Sequence, residues 1–176
     1  MSGIVTRDTV AMAEDRRLLL LRHAKSSWDD PALADHDRPL AARGRRAATA
    51  IGEYLRRERV EIALVLCSSA RRARETVDLV APSGEIRFER ELYGASAGGL
   101  LERVHRVPDA CGVVMLVGHQ PAMGDLTLDL VTDAGELAGR KFPTGALAVL
   151  GVTGGWVALR SGGAQLDAFI RPRELS

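Results

Sequence analysis

Two histidines stand directly after strongly apolar runs, and their neighbours are suited to holding an anion. Leu18-Leu19-Leu20-Leu21 leads into Arg22-His23-Ala24-Lys25-Ser26, and Val113-Val114-Met115-Leu116-Val117 leads into Gly118-His119-Gln120-Pro121. A third segment, Ser68-Ser69-Ala70-Arg71-Arg72-Ala73-Arg74-Glu75-Thr76, brings three more arginines. Phosphoryl transfer needs a nucleophile whose adduct is labile and cationic donors around the non-bridging oxygens. Neutral imidazole meets the first need, since an unperturbed pKa of ~6.5 leaves it largely unprotonated at pH 7. Arginine meets the second with planar, paired donors. His23 beside Arg22 therefore reads as a nucleophile beside its oxyanion ligand.

The elements that must position these residues follow from the apolar pattern. A short apolar run without polar alternation reads as a strand buried on both faces, as in a parallel sheet covered by helices. Ligands bind outside the carboxyl ends of such strands, where both histidines emerge. Only four histidines occur in the chain, so two at this edge carry information; His36 and His105 lack such context and are expected to be structural. The first strand spans Leu18–Arg22 and a polar loop covers 24–38, with Asp37-Arg38 expected to order it. A helix over about 41–58 sets Ala47, Ala48, Ile51 and Leu55 on its apolar side, with Arg43, Arg45, Arg46 and Arg56 elsewhere on it. Ile62–Cys67 is the second strand, and Ser68 or Ser69 offers a cap to a helix ending near Val80.

Ile86–Phe88 reads as a short strand, and Gly94–Gly99 as a loop before a helix to about Val107. Its glycine pattern, GxxxGG after no clear strand, is not a dinucleotide fingerprint. Gly112–Val117 is the central strand, and Pro121 suits the first turn of the next helix. Thr153-Gly154-Gly155 between Ala146–Val152 and Trp156–Arg160 is a hairpin signal. The expectation is a three-layer α/β/α sandwich with a mainly parallel central sheet and an antiparallel C-terminal hairpin. Residues 1–16 read as a flexible arm, with Met12 an alternative start to Met1, and 17–176 as a single domain.

Composition narrows the function classes. The 176 residues are 46% hydrophobic and 27% charged with a formal charge of +1, so no global field points to nucleic acid or an anionic membrane. No apolar stretch approaches a membrane span, and the first sixteen residues, with Asp8, Glu14 and Asp15, form no signal peptide. The cytoplasm is the expected compartment. Cys67 and Cys111 make neither a disulfide framework nor a CxxC zinc motif. No HExxH occurs, so neither metal nor cofactor is expected.

The text around these residues resembles the histidine phosphatase superfamily, and more narrowly the SixA-type phosphohistidine phosphatases. The resemblance rests on Arg22-His23-Ala24-Lys25-Ser26-Ser27-Trp28, on Asp37-Arg38-Pro39-Leu40 with Arg43-Gly44, and on Arg72-Ala73-Arg74-Glu75-Thr76. Val117-Gly118-His119-Gln120-Pro121 and Phe142-Pro143-Thr144-Gly145-Ala146 extend it, over roughly Arg17 to Arg173. It implies His23 as the residue that becomes phosphorylated and Arg22, Arg72 and His119 as phosphoryl ligands. Only Arg72 occupies the arginine position of that motif, which leaves Arg71 and Arg74 as surface or substrate-contact residues. Lys25 and Ser26 are candidate substrate contacts on an open rim.

Many superfamily members carry a carboxylic acid that protonates a leaving alcohol, and Glu91 is the nearest positional candidate for that proton donor. Without such an acid the site should favour N–P bonds, because imidazole can leave neutral with its proton on the other ring nitrogen, whereas an alkoxide cannot. The expected activity is therefore metal-independent hydrolysis of a protein phosphohistidine, with a phosphotransfer-type domain as partner. A small-molecule phosphomonoesterase is the alternative enzyme, and a non-catalytic phosphate-binding module the alternative from another class. An intact His23 argues against the module, since a pure binder has no use for a nucleophile.

Overall fold

In the computed structural model the described residues are 16–135 and 137–175. Six strands form one sheet: β1 (Arg16–Arg22), β2 (Leu64–Ser68), β3 (Glu85–Glu89), β4 (Val113–Gly118), β5 (Leu147–Val152) and β6 (Ala164–Ile170). Their order is β3-β2-β4-β1-β5-β6. The first four positions in that order are mutually parallel, while β5 is antiparallel to both β1 and β6. Four helices complete the layers: α1 (Ala42–Arg57), α2 (Arg71–Val80), α3 (Ala97–His105) and α4 (Ala122–Leu130). This is the expected α/β architecture.

Strand periodicity explains the layering. Leu18 and Leu20 of β1 point to one face, where Leu100, Val104, Met123, Leu126 and Trp156 pack. Leu19 and Leu21 point to the other, against Ala48, Ile51 and Leu55 of α1 and Val77 and Val80 of α2. All four leucines are fully buried. At about 1.5–3 kcal/mol for each such side chain, this strand alone anchors the sheet between its helical layers.

α1 runs through Gly44 and Gly52 because both glycines admit close neighbours. A Cβ at Gly44 would stand 2.1 Å from the Lys25 carbonyl oxygen, and one at Gly52 2.4 Å from that of Val80. The first glycine thus lets α1 lie directly against the loop that follows β1, and the second brings it against α2.

Several expectations are corrected. β1 begins at Arg16, ahead of the expected start at Leu18; residues 1–15, including Met12 and the rest of the expected arm, lie outside the described residues. α2 is preceded by Ala70 with no side-chain cap; Ser68 and Ser69 lie ahead of the cap position, where Ser68 Oγ accepts from the Ala70 N–H at 3.3 Å and the two hydroxyls also meet His119 and His36. α3 starts at Ala97, running through Gly98 and Gly99, with Ser96 Oγ accepting from Gly99 N at 3.1 Å. Pro121 sits at the cap of α4, just ahead of its first turn. The hairpin partner of β5 is Ala164–Ile170, not Trp156–Arg160. Trp156 is fully buried and its indole donates to the Cys111 carbonyl at 2.8 Å, which pins that segment as a short 3-10 turn. Only after the turn at Gly162, where φ is +68°, does the chain return along the sheet. No helix among the described residues is long and apolar enough to cross a membrane.

Candidate active site

Strand register brings the histidines together. Arg22 of β1 lies beside Gly118 of β4, and Cys67 of β2 beside Val117, so all three strands end at one level. The His23 N–H donates to the Gly118 carbonyl at 3.0 Å, extending the ladder one residue. The His23 and His119 rings have centroids 5.0 Å apart.

His23 is held in one tautomer. Its Nδ1 lies 2.7 Å from the Ala24 carbonyl oxygen, which can only accept, so Nδ1 carries the proton. That leaves the Nε2 lone pair free, and Arg72 Nε donates to it at 3.3 Å. Burial above all, with His119, Arg72 and Arg22 adding to it, lowers the imidazole pKa to about 3, against the raising effect of the Ala24 bond. The ring is a neutral base at physiological pH.

His119 is arranged in the complementary way. Arg72 Nη2 donates to its Nδ1 at 3.3 Å, so its proton sits on Nε2 and is donated to Ser68 Oγ at 2.7 Å. Burial first, then the Arg72 charge, lowers its pKa to about 4, while Asp35 opposes the shift. An anion placed between these rings would favour protonated His119.

The arginines differ in their anchoring. Arg72 is 7% exposed, and its two terminal nitrogens meet Asp35: Nη1 donates to the backbone oxygen at 2.6 Å and Nη2 to Oδ2 at 3.0 Å. Arg22 Nη1 donates to the Phe142 carbonyl at 2.9 Å, and its Nε is buried without a hydrogen-bond partner. Burial and the neighbouring Arg72 charge lower the Arg22 pKa. Arg22 also lines a cavity of about 410 Å³ with Gln120, Arg140, Lys141 and Phe142. The adjacent arginines point elsewhere. Arg71 pairs with Glu75 at 2.8 Å, and the Arg74 guanidinium lies 4.4 Å from the Phe88 ring centre.

Sequence reasoning missed three supports. Thr76 Oγ1 accepts from the Ala24 N–H at 3.0 Å and donates to the Arg72 carbonyl at 2.6 Å, tying the loop that carries His23 to α2. Asp35 gathers Arg72, Arg38 Nη1 at 3.0 Å and the Tyr93 hydroxyl at 2.7 Å. The Tyr93 hydrogen bond foremost, with Arg72 and Arg38, lowers the Asp35 pKa to about 2. Tyr93 in turn sets its ring edge-on to His119 with centroids 5.6 Å apart. Thr76 had a signal, a polar residue on the apolar side of α2. Asp35 and Tyr93 had none, being one polar residue among many in a loop and one aromatic after an exposed turn.

The remaining sequence candidates fall outside this cluster. Ser26 is buried and its hydroxyl accepts from Arg38 Nη2 at 2.5 Å, so it orders the loop and offers no open rim. Arg38 itself orders that loop, as expected, by also donating to the Ser27 carbonyl and stacking on Trp28. Lys25 lines a second cavity, which shares Arg140 and Lys141 with the one beside Arg22. Glu91 is exposed and its side chain makes no hydrogen bond or ion pair among the described residues; Tyr93 is the part of that segment that reaches the site. His36 Nε2 is 2.9 Å from Ser69 Oγ, and His105 Nε2 2.7 Å from the Leu159 carbonyl, supporting positions in both cases. Among the described residues no three His, Cys, Asp or Glu side chains form a metal-ligating group.

Residues 18–105 match the family model of the histidine phosphatase superfamily (branch 1). An uncharacterized protein of Mycobacterium tuberculosis is 40% identical over 159 residues, 87% of this chain and 100% of its own length. The solved structure of a candidate phosphohistidine phosphatase SixA from Nakamurella multipartitia superposes with a TM-score of 0.81 at 36% identity, covering 90% of this chain and 96% of that one. A similarly described SixA candidate from Agrobacterium tumefaciens gives 0.76 at 29% identity, covering 89% and 98%. The chain belongs to the histidine phosphatase superfamily and is a phosphatase of the SixA type.

Proposed function

We propose that this phosphatase hydrolyses a protein phosphohistidine through a covalent phosphohistidine on its own His23, without a metal ion. The observation that carries the reading is the fixed Nε2 lone pair of His23, faced by Arg72. In the first step Nε2 attacks phosphorus, and the bond from phosphorus to the substrate imidazole breaks. The substrate ring leaves neutral, keeping the proton on its other nitrogen. In the second step water attacks phosphorus, the P–Nε2 bond breaks, and His23 returns neutral with Nδ1–H still on the Ala24 carbonyl. The water proton leaves with phosphate or to solvent. Arg22, Arg72 and a His119 that gains a proton with the anion neutralise the phosphoryl oxygens.

Leaving-group chemistry favours an N–P substrate. Asp35, the carboxylate that contacts the cluster among the described residues, is held ionised with a pKa of about 2, and Glu91 lies outside it. An alkoxide leaving group would lack a carboxylic acid to protonate it; a neutral imidazole needs none. The Nakamurella and Agrobacterium relatives, described as candidate phosphohistidine phosphatases, support the same substrate class.

The test compares kcat/KM on a histidine-phosphorylated phosphotransfer protein with that on a panel of alkyl phosphate esters, with and without EDTA. The N–P substrate is expected to be preferred, and chelation to leave the rate unchanged. Preference for a small ester, lost in Glu91→Gln, would instead make the protein a metabolite phosphomonoesterase.

A further inference from the structure

A concave groove of about 930 Å³ borders the catalytic edge; of the twelve described residues that line it, seven are lysine or arginine and none is aspartate or glutamate. The chain as a whole carries a formal charge of only +1, so this concentration is local. Arg43 and Arg46 come from one face of α1, Arg140 and Lys141 from the segment before Phe142, and Lys25 from the loop after β1. The side chains of these five make no hydrogen bond or ion pair with the described residues, whereas Arg171 on the same wall is paired with Glu174. Five cations in one concavity with no partner among the described residues repel one another and focus a positive potential.

The groove is joined to the site through its walls. Lys25 is two residues past His23, at most about 7 Å along the backbone. Thr144, on the opposite wall, precedes Gly145, whose N–H donates to the carbonyls of both Arg22 and His23 at 3.1 and 3.0 Å. Arg140 and Lys141 line this groove and the Arg22 cavity together. The non-basic lining is Ala47, Ala50, Pro143, Thr144 and Pro172, with no aromatic ring. A nucleotide or single-stranded nucleic acid would call for stacking surfaces that this lining lacks.

We propose that the groove docks an acidic segment of the substrate protein, seated on Lys25, Arg43, Arg46, Arg140 and Lys141 so that its phosphohistidine reaches His23. This rests on the protein-substrate reading above and adds the recognition element. Such a docking surface acts mainly on encounter and on salt dependence, leaving the chemical step alone.

The experiment uses the full chain and the double variant Arg43→Glu/Arg46→Glu. Acidic residues are favourable at the start of α1, so the helix is retained. In the first arm, fluorescence anisotropy follows a labelled peptide of alternating aspartate and glutamate. The wild type is expected to bind it, more weakly as salt rises, and the double variant to lose at least about tenfold in affinity. In the second arm, the double variant is expected to lose at least about tenfold in kcat/KM on an acidic, histidine-phosphorylated phosphotransfer protein, through KM, while phosphoramidate hydrolysis is unchanged. Equal losses on both substrates, undiminished peptide binding, or displacement of the peptide by an oligonucleotide at lower concentration than by unlabelled peptide would each overturn the proposal. If the wild type turns over no phosphohistidine protein, the function reading fails, while the peptide arm still decides whether the groove docks acidic chains.

Discussion

Arg72 Nε donates to His23 Nε2, the one ring nitrogen that the Ala24 carbonyl leaves without a proton. The same guanidinium reaches His119 and Asp35, so one buried side chain registers His23, the second histidine and the loop before α1. This relationship sets what each replacement should do.

His23→Ala is expected to abolish turnover while circular dichroism and the unfolding midpoint stay close to wild type. Rapid quenching with labelled substrate should trap an acid-labile, base-stable phosphoenzyme in the wild type and none in the variant. Undiminished single-turnover cleavage by the variant would remove His23 from the mechanism.

Arg72→Ala should cost about 2–4 kcal/mol in transition-state stabilisation, the scale for removing one preorganised donor. Arg71→Ala and Arg74→Ala should cost much less, because those side chains are committed to Glu75 and to the Phe88 ring. Steady-state kcat/KM on one substrate for all three variants decides the register of the motif.

Acid should destabilise the free protein through its two active-site histidines. In the folded chain they stay neutral down to about 3 and about 4, whereas unfolded histidine protonates near ~6.5. Between those values the unfolded chain binds more protons, so stability falls as pH drops from ~6.5 toward the folded pKa values. Denaturation midpoints across that window should show a steeper loss in wild type than in a His23→Asn/His119→Asn variant. Sulfate keeps its charge over the same range, so its affinity should tighten as pH falls, with proton uptake visible by calorimetry in buffers of different ionisation heat.

Thr76→Val would leave the buried Ala24 N–H without its acceptor, a loss of about 1–3 kcal/mol in stability. It should also lower kcat by loosening the loop that carries His23. Thr76→Ser, which keeps the hydroxyl, should recover most of both. Loss of rate in the serine variant with none in the valine variant would show that the methyl group, and not this hydrogen bond, matters.

Gly44→Ala is expected to destabilise by about 1–3 kcal/mol, because a Cβ there would overlap the Lys25 carbonyl and push α1 from the loop after β1. Chemical denaturation measures it directly. A neutral effect would mean that the loop yields without cost.

Much of this arrangement was legible before any coordinates. Four consecutive leucines in β1 and the apolar run of β4 read as strands covered on both faces, whose following residues emerge at a carboxyl edge. The position of His23 and His119 at that edge therefore follows from local pattern and chain direction, while their grouping with Arg22 and Arg72 came from the resemblance to a family. Arg72 was separable from Arg71 and Arg74 by its place in a motif, and the helix turns the three arginines to different neighbours. The cap expected from Ser68 or Ser69 failed because α2 starts only at Arg71, behind Ala70, and both hydroxyls lie ahead of it, where they meet histidines remote in sequence.

What only the tertiary structure decided are contacts between segments that no spacing relates. Asp35 meets Arg72 and Tyr93 across 37 and 58 positions, and its low pKa, which disqualifies it as a proton donor, comes from those partners. Glu91 had the sequence position of a proton donor but stands exposed, outside the cluster. The return strand of the hairpin moved to Ala164–Ile170 because Trp156 found a buried carbonyl at Cys111. The basic groove likewise exists only once α1, the loop after β1 and the segment before β5 are folded against one another. Residue type and local periodicity set where backbone strands run and which ends they present. The charge, tautomer and partner of each side chain are set by neighbours that folding alone brings near, because burial and Coulomb interactions act through space and not along the chain.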